Sequence, residues 1–192
     1  MEPLRIIIAD DESIRLLSLR GQLNALGHRV IAEASTGEEA VALADRWRPD
    51  LAILDIKMPL MDGIEAAERI TQARPIPIIL LTAYSETQLV ERAAQANISA
   101  YLMKPVSEED LLPAITLALA RFKQFQTLRQ EVADLREALE ARKLIEKAKG
   151  ILMRRLNLTE DEAFRRLQRQ SQEGNRKLAQ VAEAIIVADQ ML

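Results

Sequence analysis

Four short apolar runs in the first 105 residues each end in a polar side chain, and this repeated pattern constrains the fold more than any other feature of the chain. Residues 4–9 run into Asp10, Asp11 and Glu12. Residues 51–54 run into Asp55, residues 77–81 into Thr82, and residues 98–103 into Lys104 and Pro105. Short apolar runs bounded by turn signals read as buried strands. Between them lie helical stripes. Ile14, Leu16, Leu17, Leu19, Leu23 and Leu26 form the first, closed by Gly27; residues 37–47 form the second, with Thr36 and Glu39 at capping-box spacing. Residues 63–73 and 85–96 are the third and fourth, and a fifth opens at Ser107 with Glu108, Glu109 and Asp110 in its first turn. With a strand over 30–34, five β/α units result. That alternation predicts a parallel sheet covered by helices on both faces, with right-handed crossovers. The carboxyl ends of such strands share one edge, where open α/β folds build their sites.

Two carboxylate sites, one hydroxyl and one ammonium therefore converge. Any one of these acids alone is most simply a helix cap or a solvated turn; four polar strand ends together are a site. Mg²⁺ takes oxygen ligands and keeps several waters. Asp11, Asp55 and one backbone carbonyl leave room for those waters, with Asp10 able to hold one. A carboxylate can itself attack phosphorus to give an acyl phosphate. Lys104 and the cation would offset the added charge, and the Thr82 hydroxyl could donate to a phosphoryl oxygen.

Composition narrows the alternatives. The chain has 192 residues, no cysteine and a single histidine, His28. Thiolate ligands and a metal site built on several histidines within one chain are excluded. No apolar run approaches the roughly 18 residues of a membrane span, and the first residues lack the pattern of a signal peptide, so a cytoplasmic protein with no membrane partner is expected. The net charge of −3 hides an asymmetry: residues 1–120 carry 11 Lys/Arg against 18 Asp/Glu, and residues 121–192 carry 15 against 11. Two modules with different ligands are implied.

The set Asp10-Asp11, Asp55 within Leu54-Asp55-Ile56-Lys57-Met58-Pro59 and Asp62-Gly63, Thr82-Ala83 and Lys104-Pro105 resembles the receiver domain of two-component response regulators over about residues 3–120. The resemblance implies a flavodoxin-like (βα)5 fold with a parallel five-stranded sheet. It implies Asp55 as phosphoacceptor, Mg²⁺ held by Asp10, Asp11, Asp55 and the Lys57 carbonyl, Thr82 and Lys104 reading the phosphoryl group, and Thr82 and Tyr101 as switch residues. It also implies a cis Lys104–Pro105 bond and a sensor histidine kinase as partner. Met58, Pro59 and Gly63 read as turn chemistry.

Beyond Pro113 no glycine or proline intervenes until Gly150. Phe125, Leu128, Val132, Leu135 and Leu139 follow 3-4-3-4 spacing. They form either a short coiled-coil seam or one amphipathic helix lying against its own chain. From about Arg142 three helical stretches follow, broken at Asn157 and at Gly174-Asn175, and Thr159 with Glu162 makes another capping box. Within 142–177, 11 Lys/Arg face 5 Asp/Glu. Phosphate backbones reward such clustering, although a basic helix face is often only solvated, and Phe164 is the sole aromatic available for stacking. Gly150 in a helix interior needs a reason, either close helix packing, the simpler one, or close approach of a ligand.

The segments 142–153, 158–167 and 175–186 resemble the ANTAR domain over about residues 135–190, with Ser171 standing where that family more often has alanine. The resemblance implies RNA binding and transcription antitermination. Arg142, Lys149, Arg154, Arg155, Arg176 and Lys177 are the candidate RNA contacts. The whole chain thus reads as a receiver (1–120), a helical, possible coiled-coil linker (121–141) and a small all-α three-helix ANTAR bundle (142–192). RNA hairpins are the expected ligand, with a homodimer on phosphorylation. Catalysis is expected only in the sense that receivers assist their own phosphorylation and dephosphorylation. Two other readings are a signalling adaptor whose tail binds protein, and a metal-dependent phosphatase. Against the phosphatase stand the missing cap domain and Lys57, where an acid would be needed two residues after Asp55.

Overall fold

The structure is a computed structural model that describes residues 2–83 and 98–190. The helix predicted over 85–96 lies outside the described residues. The described residues include five strands: β1 (Arg5–Ala9), β2 (Arg29–Ala34), β3 (Leu51–Asp55), β4 (Ile78–Thr82) and β5 (Ala100–Met103). Among the described residues six helices accompany them: α1 (Ser13–Ala25), α2 (Gly37–Trp47), α3 (Gly63–Ala73), α4 (Glu108–Leu156), α5 (Glu160–Glu173) and α6 (Leu178–Gln190). The chain divides into two compact units, Met1–Gln126 and Thr127–Leu192.

In the first unit the strands form one parallel sheet of order β2-β1-β3-β4-β5, the flavodoxin-like order. Successive strand residues point to opposite faces, so the continuous apolar runs supply two cores. Ile7, Ala52, Leu54, Ile78 and Leu80 pack on one face with Ala40, Ala44, Ile64, Ala67 and Ile70 of α2 and α3. Ile6, Ile8, Ile53, Ile79 and Leu81 pack on the other with Leu16, Leu19 and Leu23 of α1 and with Leu111, Ile115 and Ala118 of α4. Burial on both faces is why β1, β3 and β4 show no polar alternation. Local chemistry sets the helix starts. Thr36 accepts the Glu39 amide proton at 3.2 Å to cap α2, and Asp62 accepts that of Glu65 at 2.7 Å to cap α3.

The second unit has its own core, made by Ala148, Ile151 and Leu152 of α4, Ala163 and Leu167 of α5, and Val181, Ala182 and Ile186 of α6. The predicted capping box forms: Thr159 N–H donates to Glu162 Oε2 at 2.8 Å, and Thr159 Oγ1 accepts from the Glu162 amide. Asn157 and Asn175 adopt left-handed backbone angles, φ 49° and 46°, at the two breaks, which asparagine tolerates better than most residues. α4 runs 49 residues without interruption and contains residues 121–141. The seam from Phe125 to Leu139 is exposed along its length, Leu135 at 70%; the reading in which it lies buried against its own chain is not what the structure contains. No helix among the described residues is long and apolar enough to cross a membrane.

Candidate functional site

Strand register brings the predicted residues to one edge. Ala9 pairs with Leu54, Asp55 with Leu81 and Thr82 with Met103. Asp10, Asp55, Thr82 and Lys104 therefore emerge at neighbouring strand ends. Asp10, Asp55 and Thr82 are buried and Asp11 is exposed. Carboxylate oxygens of Asp10, Asp11 and Asp55 lie within 4.8 Å of one another. Lys104 Nζ sits 2.8 Å from Asp10 Oδ2 and 2.7 Å from Asp55 Oδ1. Three hard oxygen donors at this spacing fit a divalent cation with room for water.

Electrostatics at Asp55 are a contest. Burial pushes its carboxyl above the ordinary value of 3.8, and the Lys104 hydrogen bond and charge pull it back; the Asp10 charge adds to the rise and Arg15 opposes it. Burial also raises the Tyr101 phenol, which packs on the core shared with α2 and α3. The Thr82 hydroxyl donates to the Ala83 carbonyl at 3.2 Å, and the Thr82 carbonyl accepts from the Lys104 amide at 2.8 Å. Lys104–Pro105 is cis, as the resemblance implies.

The loop from Ile56 to Asp62 carries Lys57, which lines one shallow pocket with Asp11 and Asp62. Two glycines hold it. Gly63 N–H donates to the Ile56 carbonyl at 2.9 Å, and Gly37 N–H to that of Met61 at 3.2 Å. A Cβ on Gly63 would stand 2.0 Å from the Asp55 carbonyl oxygen, and one on Gly37 2.5 Å from that of Met61. Gly63 is thus more than turn chemistry. Its missing side chain lets α3 start directly behind the phosphoacceptor candidate. Sequence reading also passed over Arg15, which reaches Asp10 Oδ1 at 3.4 Å and Glu12 Oε1 at 2.6 Å. Its position three residues after Glu12 was the available signal.

In the second unit the basic candidates divide by surroundings. Lys149 is only 8% exposed. Its ammonium contacts Glu160 at 2.6 Å and Glu146 at 3.0 Å, which hold it above the ordinary lysine range, and it lies 5.9 Å from the centre of the Phe164 ring. It ties α4 to α5. Arg155 pairs with Asp189 at 2.8 Å, and Lys177 with Glu137 at 3.4 Å. Arg142, Arg154 and Arg176 are exposed. The Arg176 carbonyl accepts from Ser171 Oγ at 2.6 Å, so Ser171 fastens the turn between α5 and α6. Among the described residues nothing lies within 4 Å of a Cβ built on Gly150, and packing does not explain that glycine.

A 2-1-3-4-5 parallel sheet with this acid–lysine edge, followed by a helical region, defines a response regulator. The chain matches the response regulator receiver domain over residues 6–116 and the ANTAR domain over residues 133–186, and it belongs to the response regulators that carry both. It is similar to the transcriptional regulatory protein PdtaR of Mycobacterium tuberculosis, at 46% identity over 96% of this chain and 90% of that protein. The positive alginate biosynthesis regulatory protein of Pseudomonas aeruginosa is 42% identical over 60% of this chain and 47% of that one. Among solved structures, the signal receiver domain of a modulated diguanylate cyclase from Desulfovibrio desulfuricans G20 aligns with TM-score 0.60 and 34% identity, covering 64% of this chain and 98% of the other. A chain of the CheX-CheY-BeF3-Mg²⁺ complex from Borrelia burgdorferi aligns with TM-score 0.56 and 28% identity, covering 59% and 87%.

Proposed function

We propose that this chain is a cytoplasmic, phosphorylation-controlled regulator that binds RNA hairpins and acts in transcription antitermination. Residues 1–120 would serve as phosphoacceptor domain, 121–141 as linker and 142–192 as RNA-binding part. The observation that carries the first half is the placement of Lys104 Nζ 2.7 Å from Asp55 Oδ1 among three clustered carboxylates. A carboxylate oxygen of Asp55 bonds to phosphorus as the P–N bond to a kinase histidine breaks; the imidazole keeps that electron pair and takes up a proton. Asp10, Asp11, Asp55 and the Lys57 carbonyl would hold Mg²⁺, whose charge offsets that of the phosphoryl oxygens. The similar chain solved in a CheX-CheY complex with BeF3 and Mg²⁺ supports that choice of ion. Lys104 exchanges part of its carboxylate pairing for a phosphoryl oxygen. The Thr82 hydroxyl turns from the Ala83 carbonyl to another, and half-buried Tyr101 follows it inward. Ile14 (83% exposed) and Leu17 on α1 offer apolar surface beside the acids for the phosphodonor domain.

The second half rests on the ANTAR match over 133–186 and on the excess of Lys/Arg in 142–177. The exposed seam from Leu128 to Leu139 supports a homodimer in which two chains present paired RNA sites. The adaptor reading draws on the internal pairing of Lys149 and Arg155, which leaves less charge for RNA. Binding of the purified chain to bacterial leader RNAs, with and without acyl-phosphate treatment, decides between them. Retention of stem–loop RNA supports the antiterminator, and retention of none at low salt leaves the adaptor.

A further inference from the structure

Gly150 lies six residues before the end of α4, away from any turn. Glycine weakens a helix interior relative to alanine, so its presence points to a contact that a side chain would obstruct. Within the second unit no such contact exists, because the space above Gly150 is open. Gly21 in α1 has equally open surroundings, so openness alone is not the signal. The frame separates the two positions. Residues three and four apart share a helix face. Around Gly21 these are Leu17, Ser18, Asn24 and Ala25; around Gly150 they are Glu146, Lys147, Met153 and Arg154. Glu146 is neutralised by Lys149 at 3.0 Å. Lys147 and Arg154 are exposed, and neither has an ionic partner among the described residues. The glycine is therefore a gap in a helix face, with a free cation one turn to each side.

We infer that Gly150 is a close-approach point for the sugar-phosphate backbone of a structured RNA, with Lys147 and Arg154 holding phosphates on either side of it. The inference rests on the RNA-binding reading above and assigns that reading its contact surface. Charge selects the occupant. A second copy would bring like charges together on this face, at a cost, whereas a phosphate backbone supplies the complementary charge at close spacing. Without a Cβ at position 150 the backbone can approach nearer the helix axis, where both cations reach it.

The test uses the full chain and a synthetic stem–loop RNA library enriched on it. Affinity of the enriched RNA is measured for the unchanged chain, Gly150→Ala and Gly21→Ala, with melting followed by circular dichroism. Gly150→Ala should melt at the same or a higher temperature yet bind roughly tenfold more weakly, with a salt dependence flatter by about one unit of slope, the scale of one displaced phosphate contact. Gly21→Ala should gain the same helical stability and bind as the unchanged chain does. Equal RNA affinity in Gly150→Ala overturns the inference and leaves the RNA reading intact. Loss of affinity accompanied by loss of helix also counts against it, since the open space should accept a methyl group. An unchanged chain that enriches no stem–loop, and is retained by an acidic protein column instead, removes both the RNA reading and this surface.

Discussion

Lys104 Nζ stands 2.7 Å from Asp55 Oδ1 while also reaching Asp10 Oδ2 at 2.8 Å. One ammonium from the end of β5 thereby restrains two buried acids from the ends of β1 and β3. Burial raises the Asp55 carboxyl and Lys104 limits the rise. Lys104→Met should therefore move the Asp55 titration higher still, and Asp10→Asn should move it lower. A carboxyl-carbon NMR titration of the metal-free protein reads both shifts; a Lys104→Met spectrum with Asp55 titrating unchanged would break this assignment.

The same shift fixes the sign of a stability effect. The folded chain binds the Asp55 proton more tightly than the unfolded chain does, so the contribution of this group falls as pH rises from the ordinary 3.8 through the raised folded value, and is flat above it. Asp55→Asn should remove that slope and raise the neutral-pH melting temperature of the metal-free protein. It should also abolish phosphoryl acceptance, read as a missing adduct in the intact mass after acyl-phosphate treatment. An adduct that persists would place the acceptor elsewhere.

Asp11→Ala should weaken Mg²⁺ binding strongly and Glu12→Ala only slightly. Asp11 belongs to the carboxylate cluster, whereas the Glu12 carboxylate is turned to Arg15 at 2.6 Å. Equal losses in a calorimetric metal titration would contradict that division.

Gly63→Ala should destabilise the first unit by roughly 1–3 kcal/mol, the usual cost of forcing atoms into a packed site, because the added carbon would meet the Asp55 carbonyl oxygen at 2.0 Å. It should slow phosphorylation as well, since the peptide that moves is that of Asp55, the proposed phosphoacceptor. Gly21→Ala, with nothing within 4 Å, should instead gain up to about 1 kcal/mol. Urea unfolding of the two variants tests the contrast.

Lys149→Glu would set a third carboxylate against Glu146 and Glu160 and should lower the melting temperature of the second unit. A loss of RNA binding in that variant would therefore partly report unfolding. Arg154→Glu, at an exposed position, should weaken RNA binding without that loss. Thr159→Ala, which removes the capping box of α5, should cost about 1 kcal/mol. Thermal melts with RNA titrations separate these effects.

The sheet and its acidic edge were legible because β1, β3 and β4 are buried on both faces, so their apolar runs are continuous and the polar side chains Asp10, Asp55 and Thr82 at their ends stand out. Thr36 and Thr159 marked helix starts through local hydrogen bonds that span three residues. What stayed hidden depends on packing between distant segments. The pairing of Lys149 with Glu160 joins two helices. The approach of Gly63 to Asp55 exists only once α3 is docked behind β3. The division of the chain near Gln126 falls inside an uninterrupted helix, where no proline or glycine could announce it.

The coupling of Asp55 to the basic region is tested most directly by RNA affinity of the full chain before and after phosphorylation, with Asp55→Asn alongside. Stem–loop RNA should bind the phosphorylated chain more tightly than the untreated one, and Asp55→Asn should not respond to the phosphodonor. Equal affinity in all three samples, or no RNA binding at any salt concentration, would contradict a phosphorylation-controlled RNA regulator.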